Sequence, residues 1–301
     1  MENIKENNNN NKSEVLIATL YDDSFRIYIA NTTNLVLKAT KIHKTIKTSS
    51  AALGRLLTVT GLMGLMLKQD EIINCKINGD GEIKYILGVA DANGNVKGEI
   101  SNPNSYIVCK DKLNKLNVSE AIGNGTLTVI KDFHLKEPFI SSIPLISGEI
   151  AEDFAEYFLT SEQVPSSVST GVLVSKKVIN AGGFIIQVLP NCDNVLIDVI
   201  ENKLKSLKPF TTLLSENFSL EDIIAAISDN NYKIYEKRYL QYHCDCSKTR
   251  FKKILGRLDV NSLKELSLDE VTEINCHFCQ KKYKFSRDTI LKIISDKEIK
   301  K

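Results

Sequence analysis

Near its C-terminal end the chain sets four cysteines in two close pairs. Cys244 and Cys246 lie in HCDCS, Cys276 and Cys279 in NCHFCQ, and 29 residues separate the pairs. Four thiolates in two doublets are the donor set of a tetrahedral zinc ion, at Zn–S distances of about 2.3 Å. His243 and His277 are adjacent, but four sulfurs already complete the shell and leave both imidazoles outside it. The segment that must fold around the pairs, 241–301, is too short to be secure on its own core. Its apolar residues, including Phe251, Ile254, Leu255, Leu258, Leu263, Tyr283 and Phe285, can make only a small cluster. One bound zinc ion would then supply most of its folding energy, roughly 10–16 kcal/mol by analogy with zinc-finger peptides. Without the metal the segment should unfold.

The one-residue spacing of the first pair carries more. A purely structural zinc ribbon usually takes both pairs at two-residue spacing. Cys-x-Cys also binds zinc, and it keeps its sulfurs within reach of each other once the metal is gone. Both local pairings can meet the Cα separation of roughly 4.4–6.8 Å that a disulfide needs. Four cysteines allow three connectivities, of which Cys244–Cys246 with Cys276–Cys279 closes the smallest loops. Zinc-bound sulfur is thiolate, the oxidisable form. Oxidation would remove the ligands, release the metal and dismantle the segment, which makes the constellation a candidate switch.

The rest of the chain is ordinary globular material. It has 301 residues, 43% of them hydrophobic and 25% charged, with a net charge of +2. That balance gives the whole chain no dominant nucleic-acid or membrane role. The charge is uneven: residues 231–301 hold 17 Lys/Arg and 10 Asp/Glu, and residues 1–230 hold 22 and 27. A basic end on an acidic body keeps nucleic acid in view as a partner, though a solvated basic face is the simpler account. The N-terminal MENIKENNNNNK has no apolar h-region and reads as a disordered Asn-rich tail, 1–12. The most apolar stretch, 51–67, is short for a membrane span, and Arg55 within it would cost roughly 3 kcal/mol at a bilayer centre. Its Gly54, Gly61 and Gly64 suit a helix packed closely against other backbone. The expected compartment is the cytoplasm, where thiols stay reduced.

The order of elements predicts an α+β fold. Residues 15–31 read as two strands joined by Asp22–Asp23–Ser24, then a helix from about Leu35 and a buried helix 51–68 capped by Ser49 or Ser50. INCKIN, IKYILGVAD and VKGEIS form a meander whose Gly79–Asp80–Gly81 and Asn93–Gly94 are hairpin signals. Further strands are expected at 126–133, 168–175 and 183–189. Between them Ile150, Phe154, Tyr157 and Phe158 recur at helical spacing. After Pro190 the character changes. Leu196, Ile200, Leu204 and Leu207 form one helical stripe, stopped by Pro209, and Ser219 with Asp222 caps another helix, with Phe218 placed to staple onto Ile223. The predicted organisation is a β-rich core domain with packed helices at 13–189, a helical linker at 190–240, and a small zinc-binding redox-switch domain at 241–301. Of the other cysteines, Cys75 alternates with Ile73 and Ile77 and belongs on a core face. Cys109 reads as a strand residue. Cys192 lies at the start of a helix and has no partner in sequence.

At the cysteine pairs, CDCSKTRF and CHFCQKKYKF, the sequence resembles the redox-regulated heat-shock chaperones of the HslO family. ALGRLL at 52–57, INGDGEI at 77–83, VKGEISNP at 96–103, SGEIAEDFAEYFLTSEQVPSSV at 147–168 and AGGFIIQVLP at 181–190 also look like its blocks. Only the tail before residue 13 matches nothing, and Glu82 stands where the family often has proline. The resemblance implies a function without catalysis. Reduced Cys244, Cys246, Cys276 and Cys279 would hold zinc in an inactive monomer. Oxidation would pair Cys244 with Cys246 and Cys276 with Cys279, expel zinc and unfold the linker. The resulting homodimer would hold unfolding client proteins without ATP.

Two other readings compete. A zinc-ribbon nucleic-acid binder would use the basic end, bind with steep salt dependence and keep its metal in peroxide. A thiol–disulfide oxidoreductase would use Cys276-His-Phe-Cys279, but that motif lies outside any βαβ pattern and has a second cysteine pair to spare.

Overall fold

The computed structural model describes residues 12–108, 116–190 and 192–298. Residues 1–11 of the expected tail and Cys109 lie outside them. The chain divides into two compact units, Met1–His243 and Cys244–Lys301.

The first unit runs β1 (Ser13–Leu20), β2 (Phe25–Asn31), α1 (Thr33–His43), α2 (Lys47–Gly64), β3 (Ile72–Gly79), β4 (Tyr85–Asp91), β5 (Asn95–Ile100), α3 (Val118–Ile122), β6 (Gly125–Asp132) and β7 (Phe139–Pro144). It continues with α4 (Ala151–Thr160), β8 (Ser166–Val174), β9 (Val178–Val188), α5 (Asn194–Ser206), α6 (Phe210–Ser215), α7 (Leu220–Ser228) and β10 (Tyr232–Tyr242). All ten strands join one sheet in the order β7-β6-β3-β4-β5-β10-β1-β2-β9-β8. Runs of consecutive strands pair antiparallel, which is the α+β arrangement expected from strands that follow one another without crossover helices.

Alternation along the strands separates two cores. On one face Val15, Tyr28, Ala30 and Ile185 pack with α2 and α4, where Leu53, Leu56, Leu57, Phe154, Tyr157 and Phe158 are fully buried. Helix α2 is buried along almost its whole length, so its glycines permit close approach: a Cβ on Gly64 would lie 2.7 Å from that of Ala90. On the other face Leu16, Ile27, Ile29, Phe184 and Ile186 meet Ile200 of α5, Phe210 of α6 and Ile223, Ile224 and Ile227 of α7. The apolar stripe of α5 is seated there, with Leu196, Leu204 and Leu207 partly buried. Ser219 and Asp222 form the expected capping box of α7, while Phe218 is exposed.

Three expectations change. The helices read over 190–240 end at Ser228, and from Tyr232 the chain is strand β10. Lys233, Glu236, Lys237 and Arg238 hide its period-two pattern, which emerges only toward buried Leu240 and Tyr242. Strand β10 pairs antiparallel with β1 along its length and parallel with β5 at Gln241 and Tyr242, so it joins the two halves of the sheet. Second, α2 begins at Lys47, and neither Ser49 nor Ser50 is its cap. The loop that follows β5 satisfies this helix start instead: Ser49 N donates to Ser105 O, and Ser49 Oγ to Asn102 O. Third, β7 was not foreseen, because its sequence FISSIP carries serines and ends in proline; as a sheet-edge strand it tolerates both.

The second unit contains α8 (Lys248–Leu255), α9 (Val260–Leu266), β11 (Val271–Asn275), β12 (Lys282–Ser286) and α10 (Arg287–Glu298). Its core is small: Leu255, Leu263, Phe285, Ile290, Ile293 and Ile294, with Phe251 and Tyr283 at the margin. Ile254 and Leu258, expected inside, are exposed. Their places are taken by the isoleucines of α10.

Candidate metal centre

Both cysteine pairs belong to the second unit, and local hydrogen bonding aims each of them. Cys244 and Cys246 occupy the extended segment before α8, whose cap Ser247 accepts from Arg250 N. Arg250 also forms an ion pair with Asp245, which sits between the two thiols. Cys276 and Cys279 ride the turn that links β11 to β12. Cys276 N donates to Lys281 O at 2.9 Å and Gln280 N to Cys276 O at 2.8 Å, with Gln280 in the left-handed region at φ 59°. This closed turn points two sulfurs the same way.

The four thiols converge, and their sulfurs all lie within 4.8 Å of one another. Cys244 Sγ is 3.7 Å from Cys276 Sγ, and Cys246 Sγ is 3.2 Å from Cys279 Sγ. Metal–sulfur bonds of about 2.3 Å in a tetrahedron place sulfurs about 3.8 Å apart, so the spread suits one ion. All four are free thiols, with Cys276 buried and the others half-buried. Among the described residues this is the group that could hold a metal, and neither His243 nor His277 is part of it.

Electrostatics differentiates the sulfurs. Burial pushes Cys244 well above the ordinary thiol range and pushes Cys279 up to about 11. Burial also acts on Cys246, but hydrogen bonds from Tyr283 and from the neighbouring sulfurs outweigh it and bring it down to about 7. Tyr283 is the partner that sequence reasoning missed. Its hydroxyl lies 3.2 Å from Cys246 Sγ and donates to Cys246 O at 3.0 Å, and its ring packs on Phe251 with centroids 4.9 Å apart. The sequence signal was an aromatic with a polar tip on the strand leaving the second pair; read only as core, its hydroxyl went unused.

The remaining cysteines stand apart. Cys75 is fully buried on the core face of β3, as expected, and burial pushes it up to about 12. Cys192 precedes α5, but burial and Asp193 raise its thiol, the opposite of what a helix start would do to a reactive cysteine. No helix among the described residues is long and apolar enough to cross a membrane.

A convergent four-thiol centre in one small unit, and a two-faced sheet in the other, define a two-part protein with a thiol-built candidate metal site. The family model described as Hsp33 protein matches residues 13–286. The 33 kDa chaperonin of Acholeplasma laidlawii is 45% identical over 95% of this chain and all of its own length. That of Clostridium perfringens is 44% identical over 95% of this chain and 92% of its own. The crystal structure of the 33 kDa chaperonin, a heat shock protein 33 homologue, from Thermotoga maritima superposes with a TM-score of 0.90 at 31% identity, over 96% of this chain and 99% of that one. The chain therefore belongs to the Hsp33 family of chaperones, and neither the nucleic-acid nor the oxidoreductase reading is favoured.

Proposed function

We propose that this chaperone is redox-regulated, and that Cys244, Cys246, Cys276 and Cys279 are both its zinc ligands and its sensor. The observation that carries the reading is the convergence of four free thiols within 4.8 Å in a unit with so small a core. When bound, zinc would tie the segment before α8 to the β11–β12 turn as a cross-link. Thiolates are the form that an oxidant attacks.

Oxidation forms Cys244–Cys246 and Cys276–Cys279. Forming each disulfide removes two protons and two electrons from a pair of thiols, and one hydrogen peroxide accepts them and leaves as two waters. In the intact unit the short sulfur contacts run across the pairs, but local pairs have the smallest loop to close once the unit loosens. Sulfurs joined to each other no longer serve as thiolate ligands, and the unit loses the cross-link that its core cannot replace. The helical segment 194–228 then loosens, which uncovers the apolar faces of α5–α7 and of the strands beneath them. Exposed apolar surface of that extent binds unfolded chains, in a homodimer, without ATP and in the cytoplasm.

A paired assay tests this. Zinc content and suppression of thermal aggregation of a model substrate are measured with and without hydrogen peroxide at elevated temperature. Expected are zinc loss and a gain in suppression together. Full zinc retention with equal suppression in both states overturns the reading.

A further inference from the structure

A cavity of the first unit, about 1010 Å³ in volume, lies where α1, the start of α2 and the β8–β9 hairpin meet. That volume is at the upper end of small-molecule sites. Lys38, Lys41, Lys47, Lys176 and Lys177 line it, and no Asp, Glu or Arg does. Among the described residues none of the five is paired with a carboxylate. An ordinary solvated face mixes both signs. Here residues 1–230 carry 27 acidic against 22 basic side chains, so an all-cationic cavity runs against the balance around it.

The kind of cation selects the anion. A fork of arginine matches a planar carboxylate, whereas lysine acts as a point charge suited to phosphate. Five point charges around one cavity call for several negative charges on one small ligand. Beside them Tyr106 presents a ring that is 52% exposed, with Lys47 Nζ 4.7 Å from its centroid, next to the apolar side chains of Leu37 and Ile46.

We propose that this cleft is a binding site for a condensed-phosphate anion, which a free oligophosphate or the phosphate chain of a nucleotide would supply. The site stands independently of the cysteine switch. With no carboxylate in its lining to hold a magnesium ion, it is built for binding and not for phosphoryl transfer.

Calorimetric titration of the reduced full-length protein with tripolyphosphate, ATP and a glutamate oligomer tests this, repeated in the Lys41→Glu/Lys176→Glu variant. Both altered lysines are exposed, so the variant should fold, and a Lys41→Arg/Lys176→Arg variant keeps the charge. The expected result is binding of tripolyphosphate that weakens with salt and falls on the order of tenfold in the glutamate variant but not in the arginine one. Equal affinity for ATP assigns recognition to the phosphate chain alone, and tighter ATP binding adds the wall around Tyr106. Absence of binding at low salt, an unaffected glutamate variant, or equally tight binding of the glutamate oligomer overturns the proposal.

Discussion

The two units solve the same problem by different physics. The first buries two apolar layers against a ten-stranded sheet, with Phe25, Phe154, Tyr157 and Phe158 wholly inside. The second has a two-stranded sheet and one cluster of six buried side chains. A two-stranded ribbon is marginal in water, so under the proposed function the second unit depends on what its four sulfurs hold. Stability that rests on dispersed packing cannot be removed by one reagent. Stability that rests on one cross-link can, and that difference is what a switch needs.

The sharpest way to break this contrast is to remove the cross-link. Cys276→Ser, or treatment with a strong chelator, should abolish amide-exchange protection throughout 244–298, since structural zinc contributes roughly 10–16 kcal/mol. Protection in β1, β2 and α2 should persist. Retained protection in 244–298 would mean that the small core suffices and that the units do not differ in kind.

The converse change belongs to the first unit. Phe154→Ala opens a cavity under α4 and should destabilise the main transition by about 3–5 kcal/mol, with zinc content unchanged. The neighbouring Asp153→Ala tests a polar counterpart. Asp153 Oδ1 accepts from Ile146, Ser147 and Gly148 N, and Oδ2 from Ile150 N, which sits at φ 77°. Its loss strands several buried amides, and a cost of about 3 kcal/mol is expected in chemical denaturation.

What the sequence made legible follows the same division. Cysteine spacing is chemistry written in one dimension, so the centre could be named before any fold was known. Turn signals were equally plain: Gly94 sits at φ 80°, and a Cβ there would lie 2.1 Å from Tyr239 O, so only glycine fits. Strand β10 was not legible, because its charges mask alternation and its role depends on β1 and β5, over a hundred residues away in sequence. The true start of α2 was hidden for a similar reason, since Ser105 supplies the acceptor. Within the centre, Tyr283 escaped because a hydroxyl's partner is a matter of tertiary distance.

Tyr283→Phe sharpens the comparison at one atom. The ring contact with Phe251 remains, and the hydroxyl beside Cys246 is lost, at a net cost near 1 kcal/mol. The sign of its pH effect follows from competition between protons and metal for sulfur. Tyr283 helps hold Cys246 down at about 7. Without it that sulfur takes up its proton at higher pH, so metal should be lost at a higher pH on acidification. A release curve that shifts to lower pH, or not at all, would deny the hydroxyl this role.

The smallest expected effect lies in the helices that precede β10 in the first unit. Ser219 Oγ accepts from Asp222 N, and Asp222 Oδ2 accepts from Ser219 N at 2.8 Å, which fixes the first turn of α7. Ser219→Ala should weaken this helix by about 1 kcal/mol, enough to raise its open population about fivefold. Limited proteolysis of the reduced protein should cut 194–228 faster by that factor, with zinc content intact. Ser219 Oγ also donates to Asp222 Oδ2 at 2.6 Å, and this bond, with the one from Ser219 N, holds Asp222 below the ordinary carboxylate range. A depressed carboxyl contributes stability above its unfolded value and loses it as pH falls through its folded one. The proteolytic difference between parent and variant should therefore shrink in acid. A difference that persists there would place the effect of Ser219 in its own hydrogen bond to the helix and not in its partnership with Asp222.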